Sequence, residues 1–189
     1  MSSKKEQTRE KILHAAYGLF ARDGFCKVTM KDVCEAAGLS RGGVYSHFPG
    51  TKEMFEAILE ELNKREELDF EKEMAEGVPA TDILEQVLLL LTEEMKHPED
   101  SLSLAMYEYA AETGGGQMDY SNGTGEEKWK ALIEYGIQRG EFLEEPGEKL
   151  IPMIFFVYQG IRMWSRIVTI TPDTITSVIE QIRRQLVKW

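Results

Sequence analysis

Apolar residues recur at helical spacing along almost the whole chain, and this periodicity is the feature that most constrains the fold. Between about residues 8 and 22 the apolar positions follow an i, i+3, i+4, i+7, i+8 pattern, namely Ile12, Ala15, Ala16, Leu19 and Phe20. That spacing predicts an amphipathic helix with one buried face. Sustained polar–apolar alternation, which is typical of strands, does not occur in the sequence. The sequence therefore predicts an all-α fold.

Helix ends are marked most clearly within the first 50 residues. Gly24 follows the first helix and suits a left-handed C-terminal cap. Thr29 and Asp32 are spaced as in a capping box that begins a second helix. Gly38 ends that helix, and Ser40 is a good N-cap for a short third helix that ends near residue 48.

The rest of the chain predicts further helices separated by helix breakers. The expected positions are about residues 51–62, 82–96, 98–112 with Pro98 as first residue, 126–139, an apolar segment at 148–168, and a last helix that begins at Thr171 and Pro172. No helix is predicted for the charged stretch at 64–76, and the glycine-rich residues 113–125 are expected to form a flexible loop. Because segment 148–168 is apolar on nearly all sides, we expect it to be buried.

Charge is distributed unevenly along the chain, whose formal net charge is −11. Residues 1–50, the predicted head domain, contain eight Lys or Arg and five Asp or Glu. Residues 51–189, the predicted body domain, contain 14 Lys or Arg and 28 Asp or Glu. A mildly basic head on an acidic body suits a protein that touches a polyanion with one end only. A solvated acidic surface with a chance imbalance is the alternative interpretation.

No recognisable motif brings together residues that would carry enzymatic or metal chemistry. His14, His47 and His97 have no metal-ligand spacing with an acid or a cysteine, and no phosphate-binding glycine loop follows a strand. Cys26 and Cys34 cannot form a disulfide framework, so we expect free thiols in a reducing cytosol. The sequence shows neither a signal peptide nor an apolar run long enough to span a bilayer. It predicts a cytoplasmic protein without membrane contact that is not an enzyme and uses no metal or cofactor.

Residues 29–48, TMKDVCEAAGLSRGGVYSHF, have the pattern of a helix-turn-helix. That motif joins two short helices by a tight turn that often contains glycine, and Gly38 occupies the turn. If Leu39, Val44 and Phe48 face inward, the outward residues are Arg41, Gly42, Tyr45 and Ser46. An arginine on such a face suits guanine, and a tyrosine suits a phosphate or a thymine methyl group.

Residues 8–62 as a whole resemble the DNA-binding head of the tetracycline-repressor (TetR) family of bacterial regulators. The resemblance rests on the first helix ending in DG-F, on residues 29–48 and on a helix beginning TKEMF, with a weaker similarity at Gly140-Glu-Phe142. It implies about nine helices, a three-helix head, a homodimer built on the last two helices and an effector pocket in the body. The chain departs from the family at Thr51, where a phosphate-contacting lysine is common and Lys52 follows instead. His47 stands where the family often has an aromatic residue.

The sequence and the resemblance together predict three groups of functional residues. The predicted DNA-binding residues are Thr29, Ser40, Arg41, Gly42, Tyr45, Ser46, His47 and Lys52. The predicted effector-pocket residues are Met95, Met106, Tyr107, Tyr109, Trp129, Tyr135, Phe155, Tyr158 and Trp164. The predicted dimer-interface residues are Ile161, Ile175, Val178, Ile179, Ile182 and Leu186. Because methionine packs adaptably, the second group suggests a lipophilic, partly aromatic effector, with Glu108 or Glu112 favouring a cation.

The main functional hypothesis is a ligand-responsive transcriptional repressor. It would bind a palindromic operator in double-stranded DNA as a homodimer and be released by a small lipophilic effector. The alternative is a helical ligand-binding or adaptor protein without specific DNA binding. A third, weaker hypothesis is a thiol sensor at Cys26, whose pKa the neighbouring Lys27 would lower.

Overall fold

The computed structural model of the chain describes residues 4–64, 70–114 and 125–188, without the side chains of residues 63 and 64. Within these ranges it contains ten α-helices and two short 3₁₀ helices. The α-helices are α1 (Lys4–Asp23), α2 (Met30–Ala37), α3 (Arg41–Tyr45), α4 (Thr51–Lys64), α5 (Phe70–Ala75), α6 (Ala80–Lys96), α7 (Ser103–Glu112), α8 (Gly125–Gln138), α9 (Ile151–Trp164) and α10 (Pro172–Leu186). An isolated antiparallel bridge joins Phe142 to Val187. The predicted all-α fold is confirmed.

Three local expectations differ from the structure. Helix α5 lies inside the charged stretch, where Phe70 is buried in an apolar core. Pro98 begins a 3₁₀ helix, Pro98–Asp100, and α7 begins later, at Ser103, whose N–H donates to Ser101 Oγ at 3.1 Å. The apolar segment at 148–168 is divided into a 3₁₀ helix, Gly147–Leu150, followed by α9. Most of the predicted loop, residues 115–124, lies outside the described residues.

The chain divides into two compact units, and the first unit consists of Met1–Arg65 and Glu99–Met118. Helix α1 packs against α2, α4 and α7 in this unit. Its core contains a group of aromatic rings with centroids 5.0–5.9 Å apart: Phe20, Phe25, Phe55 and Tyr109. By these contacts α4 and α7 share a unit with the predicted head. The predicted boundary between a DNA-binding head and an effector-binding body after residue 50 stays a prediction.

The second unit consists of Glu66–Pro98 and Asp119–Trp189, and its described helices are α5, α6 and α8–α10. Its core includes Phe142, which is fully buried against α8 at Gly136. Helix α6 has no side-chain cap of its own at Pro79. Instead the carboxylate of Glu141 accepts the N–H of Thr81 at 3.1 Å and pairs with Arg139. This capping ties the segment after α8 to the start of α6.

Most residues of the predicted dimer interface on α9 and α10 are already buried within the single chain. Five of the six predicted residues are at most 8% exposed within the chain's own second-unit core: Ile161, Ile175, Ile179, Ile182 and Leu186. The apolar stripe of α10 therefore packs mainly within its own chain, although Val178 and Ile182 also line one surface groove and Ile161 borders another. In contrast, Phe156 is 79% exposed and Trp164 is 56% exposed. One face of α9 is thus exposed in the single chain, and its burial stays a prediction that depends on a partner.

None of the helices in residues 4–64, 70–114 and 125–188 has both the length and the apolar character needed to cross a bilayer.

Candidate nucleic-acid interface

Helix α2 begins at the predicted capping box. Thr29 Oγ1 accepts the N–H of Asp32 at 3.3 Å, and Asp32 Oδ2 accepts the N–H of Thr29 at 2.9 Å. The Thr29 hydroxyl also donates to Asp32 Oδ2 at 2.6 Å. These hydrogen bonds from Thr29 lower the pKa of Asp32 below its usual value. The box satisfies first-turn donors and fixes where α2 starts.

The turn between α2 and α3 is built on Gly38. Its φ of 62° and ψ of 37° are left-handed, a conformation that glycine adopts without a Cβ penalty. Its N–H donates to Glu35 O at 3.2 Å, and the next N–H, of Leu39, donates to Cys34 O at 3.0 Å. Ser40 then caps α3 by accepting the N–H of Gly43 at 3.2 Å. The predicted turn glycine and the predicted N-cap of α3 are both confirmed as structural features.

Packing of α3 follows the predicted orientation. Val44 is fully buried and Phe48 is 5% exposed, and both contact the core of the first unit. The opposite face is exposed and polar, and it carries Ser40, Arg41, Gly42, Tyr45 and Ser46. Of the other predicted DNA-binding residues, Thr29 and Lys52 are exposed and His47 is half-buried.

Arg41 and Tyr45 form a pair on the outward face of α3. The guanidinium carbon of Arg41 lies 5.4 Å from the Tyr45 ring centroid, and Nη2 donates to the Tyr45 hydroxyl at 3.5 Å. A cation held over an aromatic face loses some of its conformational freedom before any ligand arrives. The pair thus presents a partly ordered cationic group to solvent.

The two glycines of α3 differ in the space around them. A Cβ added to Gly43 would lie 3.3 Å from Ser40 Oγ, so this position is restricted by the helix cap. A Cβ added to Gly42 would meet no atom within 4 Å. The chain's own packing therefore does not require glycine at position 42, although glycine weakens a helix interior by about 1 kcal/mol relative to alanine.

Lys52 stands on the first turn of α4, and its ammonium lies 3.9 Å from the carboxylate of Glu56. The same carboxylate accepts the hydroxyl of Tyr109, on α7, at 2.6 Å. This hydrogen bond, with burial and the charge of Glu56, raises the pKa of Tyr109 to about 12. Glu56 therefore links an exposed lysine of α4 to α7. Sequence inspection missed this link, because Glu56 and Tyr109 are 53 positions apart.

The surroundings of Cys26 contradict the basis of the thiol-sensor hypothesis. Its backbone N–H donates to the carboxylate of Glu108 at 2.9 Å. Desolvation and the charges of Glu108 and Glu112 raise the pKa of the Cys26 thiol, whereas the hypothesis required Lys27 to lower it. Glu108 thus hydrogen-bonds to the loop after α1, and the charge of Glu112 also affects Cys26 in that loop. The two carboxylates were predicted to favour a cationic effector, and this interaction gives them a different location and role.

The predicted effector-pocket residues are divided between the two units. Met106, Tyr107 and Tyr109 belong to the first unit, where Tyr109 is part of the core and Tyr107 is 67% exposed. The other residues belong to the second unit, where Met95 and Trp129 are buried, Tyr135, Phe155 and Tyr158 are half-buried, and Trp164 is exposed. Within the second unit, these six residues stay candidates for one pocket.

A capped helix-turn-helix with an exposed polar face on its second helix defines a DNA-binding protein of the transcriptional-regulator class. Residues 12–58 match the model of the bacterial regulatory proteins of the tetR family. The chain is 34% identical over 143 residues to the HTH-type transcriptional regulator YfiR of Bacillus subtilis, which is itself uncharacterised. The matched region covers 73% of this chain and 69% of YfiR. The chain belongs to the tetracycline-repressor family.

Solved structures agree on the fold. A TetR-family transcriptional regulator from Agrobacterium tumefaciens is 12% identical, with a TM-score of 0.75 over 98% of this chain and 100% of that one. A protein solved in work on the control of antibiotic production by bacterial hormones is 19% identical, with a TM-score of 0.78 over 99% and 100% of the two chains. At these identities the likeness concerns the fold alone.

Proposed function

We propose that this protein is a ligand-responsive repressor that binds a palindromic operator as a homodimer and is released by a small lipophilic effector. It would act in the cytoplasm, where a bacterial operator lies. Arg41 would read a guanine edge, Tyr45 and Ser46 would contact the adjacent backbone, and Lys52, His47, Ser40 and Thr29 would contact phosphates.

The observation that carries the DNA-binding proposal is the open space at Gly42. This glycine lies on the exposed face of α3 and costs helix stability, although an added Cβ would meet no atom of the described residues within 4 Å. A DNA backbone or base edge that approaches α3 closely would explain why a side chain is absent there.

Gly42→Ala separates this explanation from a purely structural role. We expect the variant to be slightly more stable, by up to about 1 kcal/mol, because alanine favours the helix. Its affinity for a duplex selected from a random pool by the wild-type protein should fall. Gly18→Ala, in α1, is the matched control, since a Cβ there also meets nothing within 4 Å. Equal operator affinity of the two variants would contradict the close approach at α3.

Base reading has its own test at Arg41. Replacing Arg41 with alanine should cost about 1–3 kcal/mol of operator affinity and relax the preference at one base pair. Lys52→Ala should weaken binding to all duplexes alike and reduce the slope of log affinity against log salt by about one. Unchanged affinity of Arg41→Ala would show that α3 does not read the operator through this residue.

The homodimer proposal is supported by an exposed apolar surface on α9 and on the turn that follows it. Met153, Phe156, Trp164, Ile167 and Val168 are all more than a third exposed in the single chain. Val157 and Gly160 border a depression on the same surface. An obligate dimer interface of about 2,000 Å² or more would cover such a surface, and one dyad would impose a palindromic operator. Of the interface residues predicted from the sequence, Val178 and Ile182 line a groove with Met153 and Val157, and Ile161 borders the depression.

Phe156→Glu tests the dimer, because a charge on the covered face would be left unpaired. Sedimentation at micromolar concentration should show a dimer for the wild type and a monomer for the variant. Leu89→Glu is the matched control, since Leu89 is 64% exposed on α6. A wild-type monomer, or a Phe156→Glu dimer, would refute the proposed interface.

The effector proposal is supported by the group of methionine and aromatic residues in the second unit, Met95, Trp129, Tyr135, Phe155 and Tyr158. Ligand sites in helical proteins lie between helices and are mostly apolar with a few polar groups. Binding of a lipophilic compound should alter Trp fluorescence and change operator affinity by a typical coupling of about 1–3 kcal/mol. A broad screen in which no compound alters either signal would refute this part of the proposal.

The adaptor alternative is favoured by the net charge of −11. It predicts weak binding to any duplex, with an affinity that does not depend on sequence. A salt titration with the selected duplex and a scrambled duplex separates the two functions, because only the repressor retains a large preference for the selected duplex.

A further inference from the structure

Three polar side chains from α6 and α9 form a cluster inside the second unit. The hydroxyl of Tyr158 donates to the carboxylate of Glu94 and accepts a hydrogen bond from Nη1 of Arg162. The guanidinium carbon of Arg162 lies 4.6 Å from the centroid of the Tyr158 ring. All three side chains are partly buried. The Tyr158 hydroxyl therefore bridges the carboxylate of Glu94 and the guanidinium of Arg162.

Among the described residues, one edge of the Arg162 guanidinium has no hydrogen-bond partner. Its Nε is buried and has no hydrogen-bond partner within the part of the chain that the structure describes. The one hydrogen bond that described residues make with this guanidinium engages Nη1. A buried charged donor without an acceptor is costly, so native proteins rarely leave one without a reason. Nε and Nη2 are parallel donors, and together they form the fork that binds both oxygens of a carboxylate.

Apolar residues of the second-unit core stand close to the cluster along α6 and α9. Leu91 and Met95 lie on α6 one turn or less from Glu94, and Phe155 lies on α9 one turn before Tyr158. All three belong to the apolar core of the second unit or pack against it. A ligand that satisfies the guanidinium edge would therefore place its remaining atoms against hydrocarbon and aromatic surfaces. Glu94 is the one carboxylate in the cluster, and its charge opposes that of an incoming anion.

We propose that the Nε–Nη2 edge of Arg162 binds the carboxylate of an organic acid with an apolar body. The acid's two oxygens accept from Nε and Nη2, Tyr158 holds the guanidinium through Nη1, and Leu91, Met95 and Phe155 contact the apolar part. The claim that this acid is the effector rests on the proposed function. The claim that Arg162 binds an organic acid rests on the cluster alone. It assigns to the effector a negative charge, which the sequence alone did not suggest.

Two matched series of compounds test the charge preference directly. One consists of octanoate, octanol and octylammonium, and the other of 4-phenylbutyrate, 4-phenylbutanol and 4-phenylbutylammonium. Binding to the full-length wild-type protein is measured by Trp fluorescence and by the NMR signal of the Arg162 Nε–H group, assigned by its loss in Arg162→Lys. We expect the acid of at least one series to bind about tenfold or more tightly than its alcohol and to shift the Nε–H signal.

Variants at the cluster give opposite expectations. Arg162→Gln should abolish the preference for the acid, and Arg162→Lys should retain only part of it, because an ammonium lacks the two-donor fork. Glu94→Gln should strengthen acid binding by removing a like charge. Arg184→Gln is the control, since Arg184 is an exposed arginine of the same unit and should leave the preference unchanged.

Three results would overturn the inference: no preference for the acid in either series, a preference that survives Arg162→Gln, or tighter binding of the ammonium compounds that Glu94→Gln abolishes. Operator affinity measured with and without the bound acid keeps the two proposals apart. An acid that binds at Arg162 without changing operator affinity supports the site and refutes its role as the effector site. A dimer that binds its operator but shows no preference for acids refutes the site and leaves the repressor proposal standing.

Discussion

Replacing Gly24 with alanine should destabilise the first unit through two separable effects. Gly24 follows α1 with a φ of +85°, and its N–H donates to Phe20 O at 3.0 Å. A Cβ at this position would lie 2.9 Å from the carboxyl carbon and 3.0 Å from Oε1 of Glu108. The new methyl group would therefore displace the carboxylate that accepts the Cys26 N–H.

The expected magnitude is the sum of a backbone effect and a lost hydrogen bond. Holding alanine in the left-handed region costs about 1–2 kcal/mol. Losing a hydrogen bond to a charged acceptor costs about 1.5–3 kcal/mol, reduced here because Cys26 is exposed and water can replace the carboxylate. We expect a total loss of about 2–4 kcal/mol in the free energy of unfolding.

Urea unfolding followed by far-UV circular dichroism measures this loss. Gly38→Ala is the matched control, because its φ is +62° and its added Cβ would meet only Lys11 Nζ, at 4.0 Å. Gly38→Ala should show the backbone effect alone. In a Glu108→Ala background, Gly24→Ala should likewise lose only the backbone contribution, so the double-mutant cycle gives the coupling between Gly24 and Glu108. Equal losses for Gly24→Ala with and without Glu108 would refute the reasoning.

Three further substitutions have defined outcomes. Tyr109→Phe removes a group whose pKa rises from 10.0 to about 12 on folding, so its stabilisation is complete below pH 10 and is lost as the pH rises toward 12. Urea midpoints at pH 9 and above should therefore fall more steeply for the wild type than for Tyr109→Phe, and parallel curves would contradict the hydrogen bond to Glu56. Thr29→Ala should cost about 1 kcal/mol through the lost cap of α2. Because folding lowers the pKa of Asp32, its stabilisation is lost as the pH falls through that lowered value, and Thr29→Ala should weaken this acid sensitivity; an unchanged acid profile would count against the capping box. Gly136→Ala would place a Cβ 2.7 Å from Cε2 of the buried Phe142 ring and should cost about 1–3 kcal/mol, measured by thermal unfolding with Trp fluorescence, whereas an unchanged melting temperature would show that the ring can move aside.

The parts of the fold that were predictable from the sequence are those encoded by neighbouring residues. The capping box at Thr29 and Asp32, the turn at Gly38 and the cap at Ser40 each depend on residues no more than five positions apart. Such signals are readable because the backbone donors and acceptors they satisfy lie within the same helical turn. The orientation of α3 followed from the same short segment.

The parts that escaped prediction depend on which surface covers an apolar face. The stripe on α10 has the same spacing whether it packs on its own chain or on a partner. Ile179 is 6% exposed within the second unit, and its place in a dimer interface stays a prediction. Glu108 and Tyr109 reach their partners, Cys26 and Glu56, across 82 and 53 positions, and no local pattern announces such contacts. Arg162 did leave a signal, since it is the one charged residue in α9.

Helix α3 has five residues, two of them glycines, and this short length limits the lifetime of its hydrogen bonds. A helix of that length is far below what persists in isolation, so α3 stays formed through the burial of Val44 and the cap at Ser40. Its amide protons should therefore exchange with solvent through brief local openings, well before those of α1. A bound operator would close these openings, so hydrogen exchange at residues 43–46 would report occupancy of the DNA site residue by residue.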